Sequence, residues 1–385
     1  MPVFPFSLHS KLPRVGTSIF TVMSRMANEY GAINLSQGFP DFSCSAELVE
    51  LVNKAMKDGH NQYAPMAGLP KLREEIAKKT VELYNASYNP ETEITITAGA
   101  TQAIYTAIAA VVNEGDEVIV FTPAYDCYEP AIEMQGGKPV FIQLQLPNYR
   151  IDWNTVRKMI NQKTRMIIIN TPHNPTGSIL KENDIAELEK ILAHNHIILL
   201  SDEVYEHIIF DNQPHLSMAR YPKLAEKSFI ISSFGKTYHT TGWKIGYCIA
   251  PEILMNEFRK IHQYIVFSAN TAIQHAYSEI LKHKELYLQL PMFYQKKRDA
   301  FLNLIQHSRF IPLHTEGSYF QLLNYTNISK ENDVAFAERL IKEHKIASIP
   351  VSVFYNQKTD NHVLRFCFAK EDETLEKAAE TLKRI

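Results

Sequence analysis

The feature that most constrains the fold is a series of short apolar runs in the first two-thirds of the chain. They are rich in β-branched residues, barely alternate with polar ones, and occupy residues 94–97, 118–121, 140–144, 166–169, 197–200 and 229–231. Strands buried on both faces of a mostly parallel sheet have this character, because helices cover both faces. Segments with helical periodicity, such as residues 100–112 and 181–193, lie between some of the runs. The region between about residues 48 and 264 is therefore predicted to be an α/β layered domain.

The rest of the chain follows other patterns. Near the N-terminus, one apolar stripe predicts an amphipathic helix through Ile19, Val22, Met23, Met26 and Ala27. Phe20 lies off that stripe. After residue 273 a helical pattern runs to about residue 306, with Pro291 as the expected kink or break. Further strands are predicted at 319–322 and 363–368, and further helices at 334–343 and 374–384.

These patterns predict a division of the chain into three parts. A chain of 385 residues is longer than one hydrophobic core usually serves. We expect an N-terminal arm at residues 1–40 that packs with the small domain. A large domain at residues 41–280 follows, and a small C-terminal α+β domain occupies residues 281–385.

Charge and cysteine usage exclude several classes of partner. The net charge of −2 gives no overall field that attracts nucleic acid or an anionic membrane. No apolar stretch approaches the roughly 18 residues of a membrane span, and residues 1–10 do not have the pattern of a signal peptide. The four cysteines are too far apart for metal-ligand or redox motifs, and the fifteen histidines form no ligand-spaced pair on a helix. We therefore expect a cytoplasmic protein that binds no metal, nucleic acid or membrane.

Polar clusters directly follow five of the apolar runs, at residues 98–102, 122–125, 170–177, 201–205 and 232–237. In open α/β sheets, ligands bind beyond the carboxyl ends of the strands. The five clusters are therefore predicted to converge on one site at one edge of the sheet.

Each cluster also has an ordinary explanation when it is taken alone. The Gly99–Thr101 segment has the residues of a simple helix start, and residues 174–177 have the composition of a plain turn. An isolated lysine such as Lys236 is usually a surface residue, and an isolated tyrosine is usually half-buried. The functional interpretation is favoured because the clusters occur together and in order.

The motifs resemble those of a known enzyme family. Residues 232–238 and 241–246 are similar to the cofactor-lysine signature of class I aminotransferases of fold type I, and residues 170–177 and 201–205 resemble two further family motifs. Residues 34–41 and 61–65 are similar to motifs of the kynurenine and methionine aminotransferase branch. The resemblance extends from about Lys11 to the C-terminus. It implies a fold type I transferase with a mostly parallel central sheet in a large, cofactor-binding domain plus a smaller α+β domain, and pyridoxal 5′-phosphate (PLP) as the cofactor.

The resemblance also implies roles around the PLP ring. Lys236 matches the lysine that forms an imine with PLP and later moves the substrate's α-proton. Asp202 matches the carboxylate that pairs with the pyridine nitrogen. Tyr205 and Asn174 match the groups that hydrogen-bond the phenolate oxygen, and Tyr125 matches the aromatic residue that stacks on the ring.

The same resemblance implies which residues contact the phosphate and the substrate. The phosphate would lie at the helix start formed by Gly99, Ala100 and Thr101, with Ser233 and with Lys244, where relatives often have arginine. Tyr63 matches a tyrosine that reaches the phosphate of the neighbouring subunit, which implies a homodimer. Contacts with the substrate are implied for Arg365, Gly38, Asn174, Phe20 and Phe267.

The implied reaction is a ping-pong transfer of an amino group from an amino acid to a 2-oxo acid. Only Arg365 matches an arginine position that faces substrate, so an apolar, sulfur-containing or aromatic amino acid is expected, with methionine first. A cysteine-conjugate β-lyase on the same scaffold is an alternative, because it shares the cofactor chemistry. A non-enzymatic ligand sensor of this fold would resemble a fusion with an N-terminal DNA-binding domain, and we expect no such extension for this protein. His173 and His207 are expected to have packing or hydrogen-bonding roles.

Overall fold

A computed structural model describes residues 4–385 of the chain. The strands are β1 Ile33–Asn34, β2 Ile94–Thr97, β3 Glu117–Thr122, β4 Lys138–Gln143, β5 Thr164–Asn170, β6 Ile198–Asp202, β7 Ser228–Ser233, β8 Gly246–Ile249, β9 Ile311–Pro312, β10 Phe320–Asn324, β11 Ile346–Ala347, β12 Ile349–Pro350 and β13 Val363–Cys367. All six predicted runs are strands of one sheet, β2 to β7.

Helices occupy most of the remaining chain. They are α1 Ile19–Tyr30, α2 Ala46–Lys57, α3 Pro70–Tyr84, α4 Ala100–Val111, α5 Tyr128–Met134, α6 Trp153–Met159, α7 Glu182–Ala193, α8 Pro222–Ala225, α9 Phe234–Thr237, α10 Glu252–Ile265, α11 Thr271–Ile280, α12 Glu285–Leu288, α13 Leu290–Leu304, α14 Asp333–His344 and α15 Asp372–Leu382. Between residues 4 and 385, none of them is long and apolar enough to cross a membrane.

A seven-stranded sheet forms the centre of the molecule, in the order β2-β8-β7-β6-β5-β3-β4. Only β8 runs antiparallel to its neighbours. Alternate residues of one strand belong to different cores: Val118 and Val120 pack in one apolar cluster, and Ile119 and Phe121 pack in the other. The sheet is therefore buried on both faces, and the predicted mostly parallel α/β sheet is confirmed. Strand β8 was not predicted.

The N-terminal segment packs on the C-terminal part of the chain. Helix α1 buries Met23 and Ala27, which are members of the predicted stripe. Strand β1 pairs in parallel with β11, and α1 contacts α14. Residues 1–3 of the predicted arm lie outside the described residues, and the predicted domain boundaries at residues 40 and 280 stay predictions.

The C-terminal part contains a four-stranded antiparallel sheet in the order β12-β13-β10-β9. Pro291 occupies the first turn of α13, so the predicted helical stretch is broken before this proline into α11, α12 and α13. Pro291 begins a helix rather than kinking one, because proline lacks an N–H donor that the first turn does not need. The sheet brings Arg365 of β13 to the edge where β5, β6 and β7 end.

Candidate active site

A cavity of about 390 Å³ lies where the parallel strands end, beneath helix α1 and strands β10 and β13. Five strand ends contribute to it, as the positions of the polar clusters predict. The predicted site residues that line it are Phe20, Gly38, Gly99, Ala100, Thr101, Tyr125, Asn174, Asp202, Tyr205, Ser233, Lys236, Lys244 and Arg365. Chain segments more than 300 residues apart in sequence therefore form one chamber.

Lys236 presents a buried amine to this cavity. It lies in α9, one turn after β7, and its Nζ donates to the Gly38 carbonyl oxygen at 3.0 Å and to the Tyr319 hydroxyl at 2.8 Å. Burial lowers the pKa of Lys236 to about 8, and the positive charges of Arg365 and Lys244 act in the same direction. A neutral amine, which is the form that attacks a carbonyl carbon, is therefore accessible near physiological pH.

Asp202 places a buried carboxylate at the end of β6. Its Oδ2 accepts a hydrogen bond from the Tyr128 hydroxyl at 2.6 Å, and its Oδ1 accepts one from the Val204 N–H at 3.3 Å. Burial raises the pKa of Asp202 to about 6 despite these donors. A carboxylate in this position would be stabilised by a cation bound in the cavity.

The start of helix α4 has the character of an anion site. Gly99 caps the helix with φ +82° and no side-chain hydrogen bond, so the first N–H groups of the helix are not capped. A β-carbon at Gly99 would lie 3.3 Å from Lys244 Cε and 3.4 Å from its Nζ, and Gly99 thus admits the lysine to the helix start. Ser233, at the end of β7, lines the same corner. Free N–H groups, the helix dipole and a lysine together favour a phosphate.

Arg365 lies on β13 with its guanidinium enclosed. Its Nη1 donates to Asn174 Oδ1 at 2.7 Å and its Nη2 to the Ser36 carbonyl oxygen at 3.1 Å, and its buried Nε has no partner in the described chain. The guanidinium carbon is 3.9 Å from the ring centroid of Phe320 and 5.2 Å from that of Phe20. A planar cation with an unused donor is suited to bind a carboxylate.

Two tyrosine hydroxyls and one glycine complete the walls. Burial raises the pKa of Tyr125 and of Tyr205, so both hydroxyls remain hydrogen-bond donors at neutral pH. A β-carbon at Gly38 would lie 2.9 Å from Phe320 Cζ. A side chain at Gly38 would therefore push into the aromatic wall.

The structure does not bring Tyr63 and Phe267 to the cavity of their own chain. Both are exposed, at 81% and 44%, and their rings meet edge to face with centroids 5.2 Å apart. Tyr63 is expected to serve a neighbouring subunit, so its exposure agrees with that expectation without testing it. Phe267 does not line the cavity of its own chain, and its place in a substrate pocket stays a prediction.

Two tyrosines that hydrogen-bond the predicted groups through their hydroxyls were not identified from the sequence. Tyr128 bonds Asp202, and Tyr319 bonds Lys236. Tyr128 is the first residue of α5, and no motif in the sequence distinguishes it. Tyr319 resembles an ordinary strand residue beside β10.

Residues 30–382 match the family model described as aminotransferase class I and II. The chain belongs to this family. The predicted family resemblance and the predicted fold class are thus confirmed. Aminotransferases of class I use PLP.

Individual relatives cover nearly the whole of this aminotransferase. It is 47% identical over 382 residues to the methionine aminotransferase of Escherichia coli (strain K12), with 99% of each chain covered. It is 31% identical to the human kynurenine–oxoglutarate transaminase 1, with 94% of each covered. Among solved structures, E. coli YbdL, for which a methionine aminotransferase function was identified, superimposes with a TM-score of 0.97 at 47% identity, with 99% of this chain and 100% of that chain covered.

Proposed function

We propose that this aminotransferase binds PLP in the cavity and transfers the amino group of an apolar, sulfur-containing or aromatic amino acid to a 2-oxo acid. The observation that carries the proposal is that a buried amine, Lys236, and a buried carboxylate, Asp202, line the same cavity beside an anion site. Bound PLP supplies an electron sink for the pair left when the α-proton departs.

The residues present fit the ring of PLP. Lys236 would hold it covalently, since its amine lies in the cavity with a lowered pKa. Asp202 would pair with a protonated pyridine nitrogen, which would supply the cation that this buried carboxylate lacks. Tyr205 and Asn174 would hydrogen-bond the phenolate oxygen, and Tyr125 would pack on the ring face.

The phosphate group of PLP would lie at the start of α4. The backbone N–H groups of Ala100 and Thr101, next to Gly99, would donate to its oxygens, together with Ser233 and the ammonium of Lys244. This arrangement anchors the group most distant from the chemistry, so that the ring is oriented before substrate enters.

Arg365 and Lys236 would act directly on the substrate. Arg365, whose guanidinium lines the cavity, would bind the α-carboxylate, with Asn174 and the backbone at Gly38 beside it. This contact fixes the α-carbon relative to the Lys236 Nζ. The free Lys236 amine would then take the α-proton as a general base, and the resulting ammonium would pass that proton on as a general acid rather than give it back to the α-carbon.

The wall beyond Arg365 favours an apolar substrate side chain. Phe20 and Phe320 line the cavity, and Phe354 packs against Phe20 with ring centroids 5.9 Å apart. Among the described residues that line the cavity, Arg365 is the only arginine, so a second carboxylate would lose its hydration without a dedicated partner. The relatives named for methionine and kynurenine support the same substrate class.

We expect kcat/KM for methionine and for phenylalanine to exceed that for aspartate by about 100-fold or more. Each methylene buried in an apolar pocket contributes about 0.8 kcal/mol, and an unpaired buried carboxylate costs several kcal/mol. Steady-state assays with a panel of amino acids and a fixed 2-oxo acid measure the ratio. A ratio below one would contradict the proposed substrate class.

Phe20→Ala identifies the source of this selectivity. Removing the ring should lower the methionine-to-aspartate ratio by roughly tenfold, since a buried aromatic side chain contributes on the order of 1–2 kcal/mol. Phe6→Ala is the matched control, because Phe6 belongs to the same N-terminal segment but is exposed and outside the cavity. Equal ratios in both variants would show that Phe20 only packs.

We also propose a homodimer in which Tyr63 completes the site of the partner. Tyr63, Phe267 and Tyr264 are exposed aromatic side chains, and Tyr264 is 85% exposed. Exposed apolar surface of this kind is typical of interaction sites, and a two-fold axis would bury the same patch on both subunits.

Sedimentation is expected to show a species of twice the 44.1 kDa chain mass. Tyr63→Ala should weaken PLP binding, by roughly tenfold for the loss of one hydrogen bond to a charged phosphate. Leu288→Ala, which removes another exposed apolar side chain, serves as the control. A fully active monomer would refute the proposed assembly.

A further inference from the structure

Tyr319 makes a closed set of hydrogen bonds around the Lys236 amine. The Tyr319 hydroxyl donates to the Gly38 carbonyl oxygen at 2.5 Å. Lys236 Nζ donates to the Tyr319 oxygen at 2.8 Å and to the same Gly38 carbonyl at 3.0 Å. Three atoms from distant parts of the chain thus form a triangle in which each donor has an acceptor.

These hydrogen bonds fix the orientation of the Lys236 amine when it is neutral. A neutral amine has two N–H donors and one lone pair. When one N–H bond points at the Gly38 carbonyl and the other at the Tyr319 oxygen, the lone pair of Lys236 Nζ occupies the one remaining direction. A lone pair held in one direction is what proton transfer and attack on a carbonyl carbon both require.

Packing gives the Tyr319 hydroxyl a fixed position. Tyr319 is fully buried, and its ring meets Tyr205 edge to face with centroids 5.2 Å apart. Phe320 and Tyr294 pack on it at 5.0 and 5.8 Å. The Lys236 ammonium position also lies 5.4 Å from the Tyr319 ring centroid and 5.5 Å from that of Tyr205.

We propose that Tyr319 is a positioning residue, which holds the free amine of Lys236 against the Gly38 carbonyl and directs it at the substrate's α-carbon. The role of Tyr319 in catalysis rests on the proposed function. The hydrogen bond between Tyr319 and Lys236 does not depend on that function. Tyr319 does not touch the substrate in this assignment; it acts through Lys236.

Tyr294 provides a matched control within the same aromatic cluster. It is buried beside Tyr319, and its hydroxyl has no hydrogen-bond partner in the described chain. Tyr319→Phe and Tyr294→Phe therefore remove the same atom from neighbouring buried rings. Only the first removes a bond to Lys236. A purely structural role for Tyr319 predicts similar behaviour of the two variants.

The first measurement needs no turnover. The full-length protein is cleared of PLP, and modification of Lys236 by an amine-reactive reagent is followed by mass spectrometry against pH. The wild-type midpoint is expected near the Lys236 pKa of about 8. Tyr319→Phe should lower it by roughly half a unit or more, because an acceptor oxygen stabilises the ammonium form more than the amine. Tyr294→Phe should leave it unchanged.

The second measurement uses the holoenzyme. Tyr319→Phe should lower kcat about tenfold with KM nearly unchanged, since a misdirected base slows proton transfer without weakening binding. The deuterium isotope effect on kcat with α-deuterated methionine should rise in this variant alone. Melting curves of both variants confirm that they fold.

The outcomes separate the two proposals. Identical modification midpoints and isotope effects for Tyr319→Phe and Tyr294→Phe would overturn the positioning role while leaving aminotransfer in place. Absence of aminotransfer in the wild type would instead overturn the proposed function, and the modification midpoints would still decide whether Tyr319 holds the amine.

Discussion

Lys236→Ala is expected to fold and to lose amino-group transfer by about 10⁴-fold, the upper end of what a positioned acid–base group contributes. The side chain has two roles in the proposed site, as the covalent anchor of PLP and as the base for the α-proton, and alanine can perform neither. Neither role is available from Lys244, which is placed at the start of α4. The measurement is a single-turnover assay with methionine, which excludes effects of product release.

The proposed covalent bond between Lys236 and PLP can be tested separately from activity. Borohydride treatment of the wild-type holoenzyme should fix PLP to Lys236, and mass spectrometry of the digested protein locates the adduct. Lys260→Ala, at an exposed lysine paired with Glu257, is the control that should retain full activity. An adduct on any lysine other than Lys236 would remove this residue from the central role.

The central sheet could be predicted because strands that are buried on both faces consist almost entirely of apolar residues. Val118–Phe121 has no polar residue because alternate positions face two different cores. The same reasoning does not reach β8, Gly246–Ile249. This strand is four residues long, begins with glycine and follows the Lys236 motif directly, so it does not form a separate run of β-branched residues. Its antiparallel direction comes from the turn through Thr241–Trp243, which only the folded chain shows.

The candidate site could be predicted because the carboxyl ends of parallel strands lie together at one edge of the sheet. Asp202 and Ser233 end neighbouring strands, so their proximity follows from the sheet alone. The hydrogen bonds within the site do not follow in this way. Tyr319 and Lys236 are 83 residues apart, and Tyr128 and Asp202 are 74 apart. Only the packing of separate elements decides such contacts, and single tyrosines carry no sequence signal of them.

Asp202→Asn is expected to bind PLP yet to transfer amino groups about 10²–10³-fold more slowly, the usual effect of removing one preorganised electrostatic group. The amide keeps the shape of the side chain and an oxygen that can accept from the Tyr128 hydroxyl. It has no charge to pair with a protonated pyridine nitrogen, and its N–H₂ group instead favours the neutral ring nitrogen. Single-turnover rates with methionine measure the loss.

Glu203→Gln is the matched control for this change. It also changes a buried carboxylate to an amide, at the residue adjacent to Asp202. Glu203 accepts hydrogen bonds from Ser201, His215 and the Met218 N–H, outside the cavity. We expect it to lower thermal stability with little effect on the single-turnover rate of the folded protein. A near-normal single-turnover rate in Asp202→Asn would remove Asp202 from its proposed role.

The stability of the same variant tests the electrostatic reasoning separately from activity. In the PLP-free protein, burial raises the pKa of Asp202 to about 6, so the folded state is disfavoured as the pH rises from about 4 through 6 and this carboxylate ionises. The amide resembles the protonated carboxyl, so PLP-free Asp202→Asn should melt at a higher temperature than the wild type at pH 8. Bound PLP should stabilise the wild type more than the variant, because only the carboxylate gains a charge pair. Equal stabilisation of the two proteins by PLP at pH 8 would mean that Asp202 does not face a cation in the holoenzyme.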